Sequence, residues 1–196
     1  MAGRNLVIGT RNAERHQKLS SAISTIQRIT ICTPDDFSVK ESPQETGKTE
    51  LENALLKAKF YYNQIMIPTL SVDDGLHLDN ADVSPREKIK RNIGNNVDNN
   101  AVFHYWSKLL KAQGSQRGYI HKACAIVTDL HEIIWMNRIQ VTLSFADVRY
   151  SDGNPLNYFI VPNGYTTPIR SFSADQSRKF TLYCYKPIIH LIKLYV

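Results

Sequence analysis

Residues 45–76 read ETGKTELENALLKAKFYYNQIMIPTLSVDDGL. Thr49 stands just ahead of a periodic run, and Glu52 follows three residues later, the spacing of a capping box at a helix start. Leu51, Ala54, Leu55, Ala58 and Tyr62 recur at helical spacing and form the apolar face. Lys57 and Lys59 lie away from that stripe. Pro68 marks the helix exit, and TLSV at 69–72 reads as a strand that ends in Asp73, Asp74 and Gly75. A helix feeding a strand, with the strand, helix and strand that precede it over residues 4–33, suggests an α/β fold.

The acids in this stretch carry the first functional reading. Glu50 and Glu52 lie in the helix's first turn, and Asp73 and Asp74 follow the strand. Magnesium takes oxygen ligands in near-octahedral geometry, usually one or two carboxylates completed by phosphate oxygens and water. A helix start and a strand end meeting at one sheet edge suit such an ion over a nucleotide's phosphates. The same acids also suit a plainer role, favouring the helix dipole and capping a turn. The residues alone leave both readings open.

Upstream, RNLVIG at 4–9 reads as an opening strand, 13–24 as a helix with Leu19, Ala22 and Ile23 inward, and QRITICT at 27–33 as a second strand. Strand, helix, strand at this spacing predicts a βαβ unit. The turn Thr10-Arg11-Asn12-Ala13-Glu14-Arg15 between the first strand and helix can offer backbone N–H groups, Thr10, Asn12 and Arg15 to a phosphate, or serve as an ordinary capped turn. It lacks the glycines and the GK[ST] of a Walker loop.

Downstream, the polar stretch 79–100 reads as a loop or small excursion, and a helix follows over about 99–111. Residues 119–128 and 132–146 read as two strands around Asp129-Leu130-His131, SDGNPLN as a turn and YFIVP as a short strand. Near the end, Ser173 and Gln176 fit a capping box opening a helix. FTLYCY at 180–185 reads equally as a strand, and Pro187 would end or kink a helix.

Composition narrows the class. The chain has 196 residues, 42% hydrophobic and 21% charged, as expected for a soluble globular protein, one domain spanning 1–196 or two small lobes sharing a core. No apolar run reaches the roughly 20 residues that span a bilayer, and the amino terminus lacks a signal-peptide pattern. A cytoplasmic location and no membrane partner are therefore expected. Cys32, Cys124 and Cys184 are widely spaced and odd in number, which argues for buried thiols rather than disulfides or a zinc site. The formal net charge of +6 suits anionic ligands, nucleotides and nucleic acid included, but no RNA-binding motif or zinc finger is present. The six histidines are read as structural or surface residues. No serine sits in a nucleophile elbow.

Together these pieces resemble the inosine/xanthosine triphosphate pyrophosphatase, or Ham1-like, family. The family pattern T-G-N-x-x-K corresponds to Thr10-Arg11-Asn12-Ala13-Glu14-Arg15, with Arg11 for the glycine and Arg15 for the lysine. The pattern E-T-G-x-T-x-x-E-N-A-x-x-K-A is nearly complete at 45–58. In the ungapped register D-D-S-G-L falls on Val72-Asp73-Asp74-Gly75-Leu76, so valine replaces the first aspartate and Asp74 the serine. F-G-Y-D-P becomes Asn163-Gly164-Tyr165-Thr166-Thr167-Pro168, without its aspartate. The late lysine falls on Arg178 or Lys179. The S-H-R that reads the purine is absent, with Tyr183, Cys184 and Tyr185 nearby. The A-P-G-x-x-S-A-R segment has no counterpart in 79–97.

The resemblance implies a two-lobed α/β domain around a long mixed β-sheet, with flanking helices and a central groove, usually as a homodimer. It implies Mg²⁺-dependent hydrolysis of non-canonical purine nucleoside triphosphates to monophosphate and pyrophosphate. Asp73 takes the catalytic position. Glu52, Asp73 and Asp74 are the implied metal set. Thr10, Asn12, Arg15, Lys57 and a cation at Arg178 or Lys179 are the implied phosphate contacts, and Tyr165 is a candidate for base stacking. The altered base-side residues leave a second reading, a non-catalytic relative that binds a nucleotide, a nucleic acid or a protein partner.

Overall fold

The computed structural model describes residues 4–79, 94 and 97–196. In chain order the elements are β1 (Arg4–Ile8), α1 (Ala13–Ile23), β2 (Ile29–Cys32), α2 (Glu50–Ile65), β3 (Thr69–Leu78), α3 (Asn99–Gln113), β4 (Gln116–Val127), β5 (Glu132–Leu143), β6 (Ile160–Pro162) and α4 (Ala174–Tyr195). The strands form one mixed sheet in the order β2-β1-β3-β4-β5-β6. β1 runs parallel to β2 and β3, and β5 antiparallel to β6. Most of the polar stretch 79–100 lies outside the described residues.

Contacts divide the chain into two compact units: 1–74, 122–137 and 179–196 in the first, 75–121 and 138–178 in the second. The first holds the expected βαβ unit. Asn12 caps α1 by accepting the Arg15 N–H at 2.9 Å, and Leu19, Ala22 and Ile23 are buried at the predicted spacing. Gly9 ends β1 where no side chain fits, since a Cβ there would lie 2.4 Å from Ser71 Oγ and 2.7 Å from the Tyr61 ring. That close approach fixes the start of the turn at Thr10.

Helix α2 follows Thr49, whose hydroxyl accepts the Glu52 N–H at 3.1 Å. The Glu52 carboxylate takes the Lys48 N–H at 2.6 Å. Ala54 and Ala58 pack on Ala123, Ala125 and Val127 of β4, flanked by Leu51, Leu55 and Tyr62. Successive strand residues face opposite sides, so Lys122, Cys124 and Ile126 face away from α2. The Lys122 ammonium accordingly sits 5.8 Å from the Tyr185 ring of α4. One expectation is corrected here: Lys57, assigned to the polar side, is only 6% exposed. Two carboxylates hold its ammonium, which is what makes burying a lysine tolerable.

The strand expected at 69–72 extends to Leu78. Gly75 does not end it, and Asp73 and Asp74 lie within the strand rather than in a turn beyond it. The ambiguity at the carboxyl end resolves as helix. Ser173 and Gln176 form the reciprocal capping pair, at 3.0 and 3.2 Å, and α4 runs on through Pro187 to Tyr195. An interior proline costs about 3 kcal/mol. Complete burial of Ile188 and Ile192, worth about 1.5–3 kcal/mol each, offsets it.

In the second unit, Phe103, Trp106 and Leu110 form the buried face of α3. Phe103 packs on Tyr150, Tyr158 and Phe159, with ring centroids 5.6, 5.3 and 5.1 Å away. The histidines are less scattered than the sequence suggests: the His77, Tyr119 and His121 rings lie 4.7–5.1 Å apart, with Arg138 3.7 Å above Tyr119. Among the described residues, no helix is long and apolar enough to cross a membrane.

Candidate phosphate and metal site

The first unit gathers its charged side chains around Asp73 and Asp74. These neighbours point to opposite faces of β3 and meet different partners. On the α2 side, the buried Lys57 ammonium lies 2.9 Å from Glu45 Oε1 and 2.9 Å from Asp73 Oδ1. Burial raises the Asp73 carboxyl above the ordinary aspartate range, by more than the hydrogen bond and charge of Lys57 lower it.

On the other side, Asp74 Oδ2 lies 2.9 Å from Lys122 and 3.5 Å from the Arg15 guanidinium. Burial pushes this carboxyl up as well, yet Lys122 and Arg15 together outweigh it and hold it below the usual range. In return, Asp74 raises Lys122 above an ordinary lysine despite its burial. The other Asp74 oxygen, Oδ1, is buried without a hydrogen-bond partner among the described residues.

The turn between β1 and α1 is tied to itself. Thr10 Oγ1 accepts the Asn12 N–H at 3.2 Å, and Asn12 accepts that of Arg15. Arg11, at the family's glycine position, reaches outward to Asp35 at 2.6 Å and to the Val39 carbonyl. Of the turn's side chains, Arg15 is the one paired with a carboxylate of β3.

The anticipated metal set does not assemble as a trio. Among the described residues, Glu52, Asp73 and Asp74 form no group within ligand-sharing distance. Glu52 is engaged at the amino end of α2, and Asp74 faces away from Asp73. The carboxylate that meets Asp73 across Lys57 is Glu45, quoted in the ETG stretch but assigned no role there. Lys122 was also missed. Its signal was a lysine inside the apolar strand GYIHKACAIV, where a charge needs a buried partner.

The remaining site residues lie elsewhere. Tyr165 belongs to the second unit and stacks on Phe172, 4.5 Å between centroids and 26° between planes. Tyr165 also lines a cavity of about 390 Å³ in that unit, together with Arg117, Gln140 and Asn163. Arg178 is exposed and lies 3.8 Å from Asp175. Lys179 is exposed on α4. Burial raises all three thiols, Cys124 to about 12 and Cys184 to about 11.

Solved structures share this architecture. A HAM1 protein from Coxiella burnetii superposes with a TM-score of 0.78 at 17% identity, covering 97% of this chain and 98% of that one. A nucleoside-triphosphatase, or dITP/XTP pyrophosphatase, from Mycobacterium abscessus superposes with a TM-score of 0.71 at 19% identity, over 95% and 98%. The fold is that α/β class. Residues 6–153 match the Ham1 family model, and the chain belongs to the Ham1 family. The dITP/XTP pyrophosphatase of Leptospira interrogans is 32% identical over 123 residues, 63% of this chain and 61% of that protein. The chain therefore covers about three fifths of that relative's length. The dITP/XTP pyrophosphatase of Porphyromonas gingivalis is 27% identical over 168 residues, 82% of each.

Proposed function

We propose that the chain is a nucleoside triphosphate pyrophosphatase, hydrolysing non-canonical purine nucleoside triphosphates to the monophosphate and pyrophosphate. Family membership and the relatives' dITP/XTP pyrophosphatase names support the reaction class. The observation that carries the reading is the convergence of Glu45 and Asp73 on Lys57, each at 2.9 Å.

Two carboxylates closing on one cation fit the hard oxygen donors that magnesium prefers. Glu45 and Asp73 would hold the ion, in place of the set built on Glu52. When bound, it would supply positive charge to the triphosphate oxygens. The chain's own residues do the rest. Asp73 accepts a proton from the attacking water as general base. The water oxygen bonds to the α-phosphorus, and the bond to the α,β-bridging oxygen breaks, releasing pyrophosphate. Arg15 and Lys57 offset the charge that builds on the phosphates. Thr10 and Asn12 shape the turn that presents Arg15. Tyr165, already braced by Phe172, is the stacking surface proposed for a base.

The test is pyrophosphate release from a panel containing inosine, xanthosine and the four common nucleoside triphosphates, with and without Mg²⁺. Turnover of the inosine or xanthosine compound, lost in Asp73→Asn and Glu45→Gln, is expected. No turnover of any member would overturn the reading and favour the non-catalytic alternative, which the missing base-reading residues motivate.

A further inference from the structure

Asp74 lies beside the proposed catalytic acid but takes no part in the chemistry described above. Its surroundings are nonetheless built. Lys122 is largely buried in the apolar strand β4, an expensive place for an ammonium unless a carboxylate meets it. Asp74 meets it at 2.9 Å with Oδ2. The same oxygen faces the Arg15 guanidinium at 3.5 Å. Arg15 rises from the first turn of α1, where Asn12 holds its backbone N–H. The backbone is thereby fixed by the cap, and the side chain is paired with Asp74.

A guanidinium has five N–H donors in a rigid fork. Among the described residues the Arg15 contact with Asp74 runs through Nη2, which leaves other N–H donors of the fork for phosphate oxygens. Without a carboxylate behind it, an arginine side chain must give up most of its rotamer freedom when the ligand arrives.

We infer that Asp74, anchored by Lys122, is a positioning residue that pre-sets the Arg15 guanidinium for the triphosphate. This rests on the phosphate-site reading above. Lys122 neutralises Asp74, so the trio keeps one positive charge, carried by Arg15, whose charge also reaches Asp73. The arrangement separates the acids of β3 by role: Asp73 serves the water and the metal, Asp74 the phosphate-binding arginine.

The experiment is a double-mutant cycle on binding of the α,β-methylene analogue of inosine triphosphate, followed by calorimetry with Mg²⁺. Asp74→Asn alone strands the Lys122 charge and risks unfolding, so the working variant is Asp74→Asn with Lys122→Met. It is expected to fold and to bind about tenfold more weakly. In an Arg15→Met background the same pair of changes is expected to alter binding less than twofold. In turnover of inosine triphosphate the variant should lose more in KM than in kcat. An equal loss of binding with and without Arg15 would overturn the inference, because Asp74 would then act through general structure. Undiminished binding would overturn it as well. If the unsubstituted protein binds no analogue at all, the phosphate-site reading falls and this inference with it. Binding by that protein combined with absent coupling sinks this inference alone.

Discussion

Asp73 and Asp74 are adjacent in the chain and leave opposite faces of β3, while the Arg15 charge reaches both. Asp73 shares a lysine with a second carboxylate, Glu45, so its surroundings hold two negative groups against one positive. Asp74 holds two cations by one oxygen, two positive groups against one negative. Burial acts on both in the same direction. Partner count decides the outcome: the Asp73 carboxyl rises and the Asp74 carboxyl falls. A short acidic pair in a sequence is therefore not one site. On a strand its members belong to different faces, and only the elements packed on each face say what each acid is for.

The largest effect expected on this contrast is catalytic. Asp73→Asn should reduce turnover by about 10²–10³, the loss typical when one preorganised electrostatic group is removed, with the fold intact by circular dichroism. Glu45→Gln should follow in the same direction. If Asp74→Asn with Lys122→Met cost as much turnover as Asp73→Asn, the division of roles between the two faces would collapse.

Stability should show the reverse ranking. Lys122→Met leaves Asp74 buried with only the more distant Arg15, and breaking such a pair costs about 3 kcal/mol in denaturant unfolding. Adding Asp74→Asn should recover much of that, because replacing a buried pair with neutral groups is often nearly neutral. Acid titration sharpens the point. The Asp74 carboxyl is depressed on folding, so its contribution is present above the ordinary aspartate pKa of about 3.9 and is lost as pH falls through the lower folded value. The unsubstituted protein should therefore lose stability with acid more steeply than the doubly substituted one.

Lys57→Met tests the Asp73 face with a smaller stability cost, about 2 kcal/mol, since Glu45 is partly open to water. Its pH signature is the clearer readout. Lys57 lowers the Asp73 carboxyl, so removing it should raise that carboxyl further. The acid limb of kcat/KM should then move to higher pH. A shift to lower pH would mean that Asp73 is not the group titrating in that limb.

Much of the fold was legible because its signals are local. The Asn12 and Thr49 caps, the i, i+3, i+4 spacing of Leu19, Ala22 and Ile23, and the Ser173–Gln176 pair each lie within a few residues of what they specify. The site was legible only in part. The stretch 45–76 pointed to Asp73 and Lys57 as polar residues near a phosphate, but the length of β3 was underestimated because its apolar run stops at Val72. That error set Asp73 and Asp74 at a strand end, where both acids could serve one metal. Glu45 and Asp73 are brought together by Lys57, 12 residues from one and 16 from the other, which no local periodicity encodes. Lys122 meets Asp74 from a strand 48 residues away.

The second unit supplies the floor against which these effects are read. The Tyr158 hydroxyl accepts the backbone N–H groups of Ser151 at 3.1 Å and Asp152 at 3.3 Å, and pairs with Ser151 Oγ at 2.8 Å. Arg170 pairs with Asp152 beside it. The phenol therefore pins the 150–153 loop to the short helical turn at 155–158. Tyr158→Phe removes the acceptor but keeps the ring that packs on Phe103. Other contacts or solvent can recover part of what the two N–H groups lose, so the expected cost is about 1 kcal/mol of unfolding free energy. Turnover at pH 7 should change less than twofold, because this loop holds none of the residues proposed to carry the reaction. A tenfold loss of turnover in Tyr158→Phe would mean that the 150–153 loop governs the reaction, and the contrast between Asp73 and Asp74 would then describe only part of the site.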